Sequence, residues 1–159
     1  MRYAIRGIFL AALAISLCTF GALASQQSAR AHSSASGASK PAGQPVPPYH
    51  KSAADAKPLP RILPASDFSD RPLVARAYQI ASEIPTVLAQ QPCYCHCDKE
   101  FGHTSLLDCF ASSHTAGCGI CMGETFFAYK LTKEGKTPAE IRAAIIRGDW
   151  KTAHVDPFK

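Results

Sequence analysis

No stretch of this 159-residue chain alternates apolar and polar residues over the length of a strand, so the regular structure to expect is helical. The Lys and Arg residues behind a formal charge of +5 form no basic stripe with interleaved aromatics, which removes nucleic acid from the expected partners. An apolar run at residues 8–20 stops at about a dozen residues, short of the ~20 a membrane-spanning helix needs. Paired carboxylates, a phosphate-cradling glycine loop, a hydrolytic triad and internal repeats are all missing. Covalent haem attachment would need C-x-x-C-H, and Met122 stands where that histidine should be. These absences point away from an enzyme. The one enzymatic class left is thiol–disulfide exchange.

The N-terminus has the order of an export signal. Arg2 and Arg6 precede the apolar run, and Ala22-Leu23-Ala24 supplies small residues at the two positions a signal peptidase reads. Residues 1–24 are expected to be a signal peptide cleaved after Ala24. The mature protein would then be extracytoplasmic: periplasmic, secreted, or tethered on the outer face of the membrane. Cys18 follows the bulky Leu17, which suits lipoprotein processing poorly, so Cys18 is expected to leave with the signal. Residues 25–63 are rich in Ala, Ser, Gly, Gln and Pro with few large apolar side chains, and read as a disordered tether. His32 and His50 fall in it as solvated bystanders.

Residues 64–159 are the expected folded unit, an all-α domain with a cysteine-rich loop cluster. Roughly a hundred residues form a small core, which a metal or disulfides would help to hold. Asp70 is the expected N-cap of a first helix, with Pro72 in its first turn and Leu73, Ala77, Ile80 and Ile84 at helical spacing. Pro85 bends or restarts that helix, and Pro92 ends it. A short helix is expected at 105–110 and a longer one past Met122, Phe126 and Tyr129 to about Lys133. Thr137-Pro138-Ala139-Glu140 is a capping box opening a last helix with Ile141, Ala144 and Ile145 on its buried face and Gly148 closing it.

The chemistry lies in six cysteines. Cys93-Tyr94-Cys95-His96-Cys97 places three at alternating positions, and in an extended segment their side chains would share one face. Cys118-Gly119-Ile120-Cys121 is a C-x-x-C pair at an expected helix start, where the helix dipole favours thiolate. Cys109 lies between. A soft metal drawing two ligands from each group is the leading reading, with Cys93, Cys95, Cys118 and Cys121 as first ligands and Cys97 and Cys109 next. His96, His103 and His114 are the candidate nitrogen donors, with His96 the first choice. Copper or zinc is the expected ion, and a membrane or exported metal-handling or redox protein the expected partner. The alternative is a thiol–disulfide oxidoreductase in which Cys118 attacks and Cys121 resolves. A third reading is an interaction domain stapled by three disulfides, weakened because closely spaced cysteines close only short loops. Asp98, Glu100 and Asp108 are expected to solvate the loop, Met122 to pack in the core, and His154 to be exposed.

At Pro92-Cys93-Tyr94-Cys95-His96-Cys97 the chain resembles the bacterial proteins named for a PCYCGC or CYCXC motif. The resemblance continues through Gly102-His103, Ser105-Leu106, Cys109-Phe110, Cys118 and Ile120-Cys121 to the final helix, over about the last ninety residues. It implies an exported protein or lipoprotein. Some members of that family carry selenocysteine at a cysteine position, which implies a site suited to soft, nucleophilic chemistry. His96 departs from the motif, which has glycine there.

Overall fold

Pro72 fixes where the first helix begins. A residue before proline is pushed out of the helical region, so Arg71 (φ −127°, ψ 82°) caps α1, Pro72–Glu83, in place of the expected Asp70. This is seen in a computed structural model, which describes residues 45–154 and 156–158. The expected signal peptide and the first part of the expected tether lie outside those residues. The same rule acts again at Ile84 (φ −126°), which ends α1 before Pro85 opens the one-turn α2, Pro85–Leu88. The buried face of α1 is Val74, Ala77, Tyr78, Ile80 and Ala81. Leu73, expected on it, is 45 % exposed.

Three further helices complete the α-structure of the described residues: α3 Cys97–Phe101, α4 Gly119–Lys133 and α5 Pro138–Arg147. The expected helix at 105–110 is a 3-10 turn, Leu107–Phe110, followed by another at Ser113–Gly117. No strand occurs among the described residues, and the domain is all-α. No helix among them is long and apolar enough to cross a membrane.

Helix α5 forms as its capping box dictates. The Glu140 N–H donates to Thr137 Oγ1 while the Thr137 N–H donates to Glu140 Oε2 at 2.8 Å. Gly148 (φ 86°) closes the helix in the left-handed conformation that glycine takes without a Cβ clash. Ile141, Ala144 and Ile145 are buried, as their spacing predicts. Helix α4 packs on α1 and α5 and is the central element. Around Tyr78, Phe68 stacks at 4.1 Å between ring centroids and Phe110 meets it edge-on at 5.1 Å. The Tyr78 hydroxyl donates to the carbonyl of Ser112 at 2.7 Å, so the ring is buried without an orphaned polar atom.

Residues 45–63, read from composition as tether, lie against the helices. The His50 N–H donates to the Ala89 carbonyl, and its Nε2 meets Thr104 Oγ1, both at 3.1 Å. The Leu63 N–H donates to the Phe110 carbonyl at 3.1 Å. The Arg142 guanidinium lies over the Tyr49 ring at 4.6 Å. Composition misleads here because Pro45, Pro47, Pro48, Pro58 and Pro60 lower the entropy of the free segment. A few backbone hydrogen bonds and small apolar contacts then suffice to hold it.

Candidate metal centre

The first cysteine group is delivered by a turn and not by an extended segment. Buried Gln91 anchors it, its side-chain N–H groups donating to the carbonyls of Val87 (2.9 Å) and Pro138 (3.2 Å) while its backbone carbonyl accepts from the Leu106 N–H. The Cys93 carbonyl then accepts the His96 N–H at 3.2 Å, folding the backbone back on itself. His96 sits at φ 60°, ψ 37°, a left-handed position, and Cys97 begins α3 directly after it. Face alternation therefore plays no part in gathering these sulfurs.

The second group starts α4. Cys118 is the N-cap, and its sulfur accepts the Cys121 N–H at 3.5 Å. One helical turn on, the Cys121 sulfur is fully buried and turned toward the first group. It stands 3.4 Å from Cys93 Sγ, 3.3 Å from Cys95 Sγ and 3.2 Å from Cys118 Sγ. Cys93 and Cys95 are 3.2 Å apart, and Cys109 Sγ is 3.7 Å from Cys93 Sγ. The sulfurs of Cys93, Cys95, Cys97, Cys109 and Cys121 all lie within 4.8 Å of one another. Cys118 reaches this group through Cys121. All six thiols are unbridged, and even the 3.2 Å approaches exceed a disulfide bond of about 2.05 Å.

The imidazoles are arranged differently from expectation. His96 meets no sulfur. Its Nδ1 is 3.9 Å from Asp98 Oδ1 and its ring faces Tyr94. His114 Nε2 is instead 2.9 Å from Cys97 Sγ, and His103 Nδ1 is 3.3 Å from Cys109 Sγ. Phe101 packs against both rings, at 4.7 Å from His114 and 5.6 Å from His103. Asp108, expected to solvate the loop, accepts the N–H groups of Thr104 and Ser105 and the Thr104 hydroxyl, so it builds the turn that carries His103.

Glu124 is the participant that spacing did not single out. It is fully buried one turn after Cys121. Its Oε1 accepts the Tyr94 N–H at 3.0 Å, while Oε2 has no hydrogen-bond partner. Burial pushes its carboxyl up to about 8. An acid three residues after Cys121, amid Phe126 and Phe127, was the available signal, because i and i+3 share a helix face.

Electrostatics divide the thiols. Cys95, the only one of the five mutually close cysteines that is not buried, is held far below the usual thiol range by hydrogen bonds from Cys109, Cys121 and Cys93. Cys97 is pushed up to about 12, by burial first and then by its hydrogen bond with Cys95. Cys121 is raised, its hydrogen bond with Cys109 being the largest cause. Several thiolates in one buried place repel unless a cation joins them. The donor set fits one: four thiolates about a zinc ion at bond lengths of about 2.3 Å stand roughly 3.8 Å apart. The sulfurs of Cys93, Cys95 and Cys121, 3.2–3.4 Å apart, need to separate by only a few tenths of an ångström. Thiolate and imidazole donors suit copper, zinc and other soft ions.

Helices holding a buried cysteine cluster compatible with a metal ion define the class of this protein: a small all-α cysteine-cluster domain. The chain belongs to the family described as protein of unknown function with PCYCGC motif, which matches residues 8–159. No curated protein and no solved structure matches it.

Proposed function

We propose that this protein captures, stores or hands over a soft metal ion, copper, zinc or a toxic thiophilic ion, outside the cytoplasmic membrane. One observation carries the reading: five unbridged sulfurs from three separate chain segments lie within 4.8 Å of one another. A structural core has no need of such a gathering, since apolar side chains would fill the same space. Cys93, Cys95 and Cys121 form the centre of the ligand set, with Cys118 and Cys109 at its edges. Export rests on the signal-like order of residues 1–24.

The test is purification from the native compartment without added metal, with elemental analysis and intact mass under non-reducing conditions. Stoichiometric metal with the thiols intact supports the reading. A chain lacking six hydrogens and carrying no metal refutes it.

A second reading is favoured by the geometry at α4. Cys118 is half-buried at the helix N-cap and 3.2 Å from the Cys121 sulfur. In thiol–disulfide exchange the Cys118 thiolate attacks a client disulfide and expels one client thiol. The Cys121 thiolate then displaces the second client thiol, leaving a Cys118–Cys121 disulfide and a reduced client. This uses two sulfurs and leaves the other four without a role, so metal binding ranks first.

A further inference from the structure

One ion does not use the donors this fold assembles. A zinc ion in a closed site takes four ligands, and Cys93, Cys95, Cys118 and Cys121 supply four linked by sulfur contacts of 3.2–3.4 Å. Cys97 and Cys109 remain, both buried, and each has an imidazole nitrogen against its sulfur. Those contacts are His114 Nε2 to Cys97 at 2.9 Å and His103 Nδ1 to Cys109 at 3.3 Å. The two imidazole rings are 6.0 Å apart, centroid to centroid, and nearly perpendicular at 87°. A zinc ion bound to sulfur and nitrogen separates the two atoms by about 3.6 Å, so loading would widen each pair by tenths of an ångström.

The scaffold around these four residues is specific. The Thr115 hydroxyl donates to the Cys109 carbonyl at 2.7 Å, and Ser112 Oγ accepts the His114 N–H at 3.3 Å. Asp108 ties down the turn carrying His103, and Phe101 packs on both imidazoles.

We infer that the chain holds two soft ions, the second on Cys97, Cys109, His103 and His114, beside the four-sulfur site. This rests on the metal-binding reading above and adds to it the number of ions and the two imidazole ligands. Cys109 Sγ, 3.7 Å from Cys93 Sγ, lies where the two sites meet.

The experiment is titration of the reduced full chain with Zn(II) under argon, read by native mass spectrometry, alongside a His103→Ala/His114→Ala variant. The expected result is two ions on the wild-type chain and one on the variant. Cadmium NMR of the wild-type chain needs no variant. It should give two resonances, one typical of four sulfurs and one shifted upfield by nitrogen ligands. One ion and one four-sulfur resonance on the wild type would overturn this inference and leave the metal-binding reading standing. No ion at all would overturn both. Two ions retained by the variant would remove the imidazoles from the second site and overturn the assignment.

Discussion

The backbone N–H of Tyr94 donates to Glu124 Oε1 at 3.0 Å, tying the turn of the first cysteine group to the middle of α4. This is a carboxyl-to-backbone bond in a buried place, so both partners are costly to leave unmade. Glu124→Ala is expected to destabilise the reduced, metal-free protein by about 1–3 kcal/mol. It should also weaken metal binding by letting the turn move. Glu124→Gln keeps the acceptor and should fold with smaller losses. Chemical denaturation and a competitive Zn(II) titration check both.

The same carboxyl sets a pH dependence. Its folded value lies near 8 against an ordinary 4.5, with burial as the cause. The folded state therefore holds a proton that the unfolded state releases between these values. Stability of the reduced metal-free protein should fall as pH rises from about 4.5 through about 8, and level off above. The drop is on the order of a few kcal/mol. Glu124→Gln should flatten the profile. A wild-type stability that instead rises across this window would contradict the assignment.

His96 occupies a left-handed position at φ 60°, where an L side chain costs roughly 1–2 kcal/mol and glycine costs nothing comparable. Glycine stands at this place in the motif for which the family is named. His96→Gly should raise stability by about 1 kcal/mol, and metal affinity should stay unchanged because His96 meets no sulfur. A loss of metal with His96→Gly would restore this histidine as a ligand.

Single cysteine substitutions should divide by place. Structural zinc binding of about 10–16 kcal/mol shared over four ligands is roughly 3 kcal/mol for each. Cys121→Ser, at the centre of the cluster, should then weaken binding by about a hundredfold or more. Cys118→Ser, at its edge, should cost less. Equal losses would mean that Cys118 lies deeper in the coordination than the structure has it.

Metal removal should loosen one part of the domain more than another. A chelator in excess should lower Tm and increase hydrogen exchange in 93–97 and the first turn of α4, which the sulfurs join. Helix α5 carries its own capping box and should change least. Thr137→Ala should cost about 1 kcal/mol without altering metal content, a control for the cysteine variants.

How legible this was in the sequence depends on whether the cause was local. Helix α5 was readable to the residue because its capping box, Pro138 and Gly148 act within one turn. The division at Pro85 was readable for the same reason. The gathering of the two cysteine groups was legible from their spacing, but the means was not. An extended C-x-C-x-C segment was expected, and a turn through left-handed His96 delivers the sulfurs instead. Choosing among His96, His103 and His114 needed the tertiary path of 102–117, which no local rule fixes. Glu124 escaped notice because its partner, the Tyr94 N–H, is 30 residues away. The packing of 45–63 was hidden by a composition that also describes free chain.

Of the five mutually close sulfurs, only Cys95 is not buried. An acceptor thiolate arriving from solvent meets that sulfur before the other four. Under the proposed metal-binding role, stepwise ligand substitution would begin at Cys95 or at Cys118, the two cysteines of the site that are not buried, while the buried sulfurs would set retention.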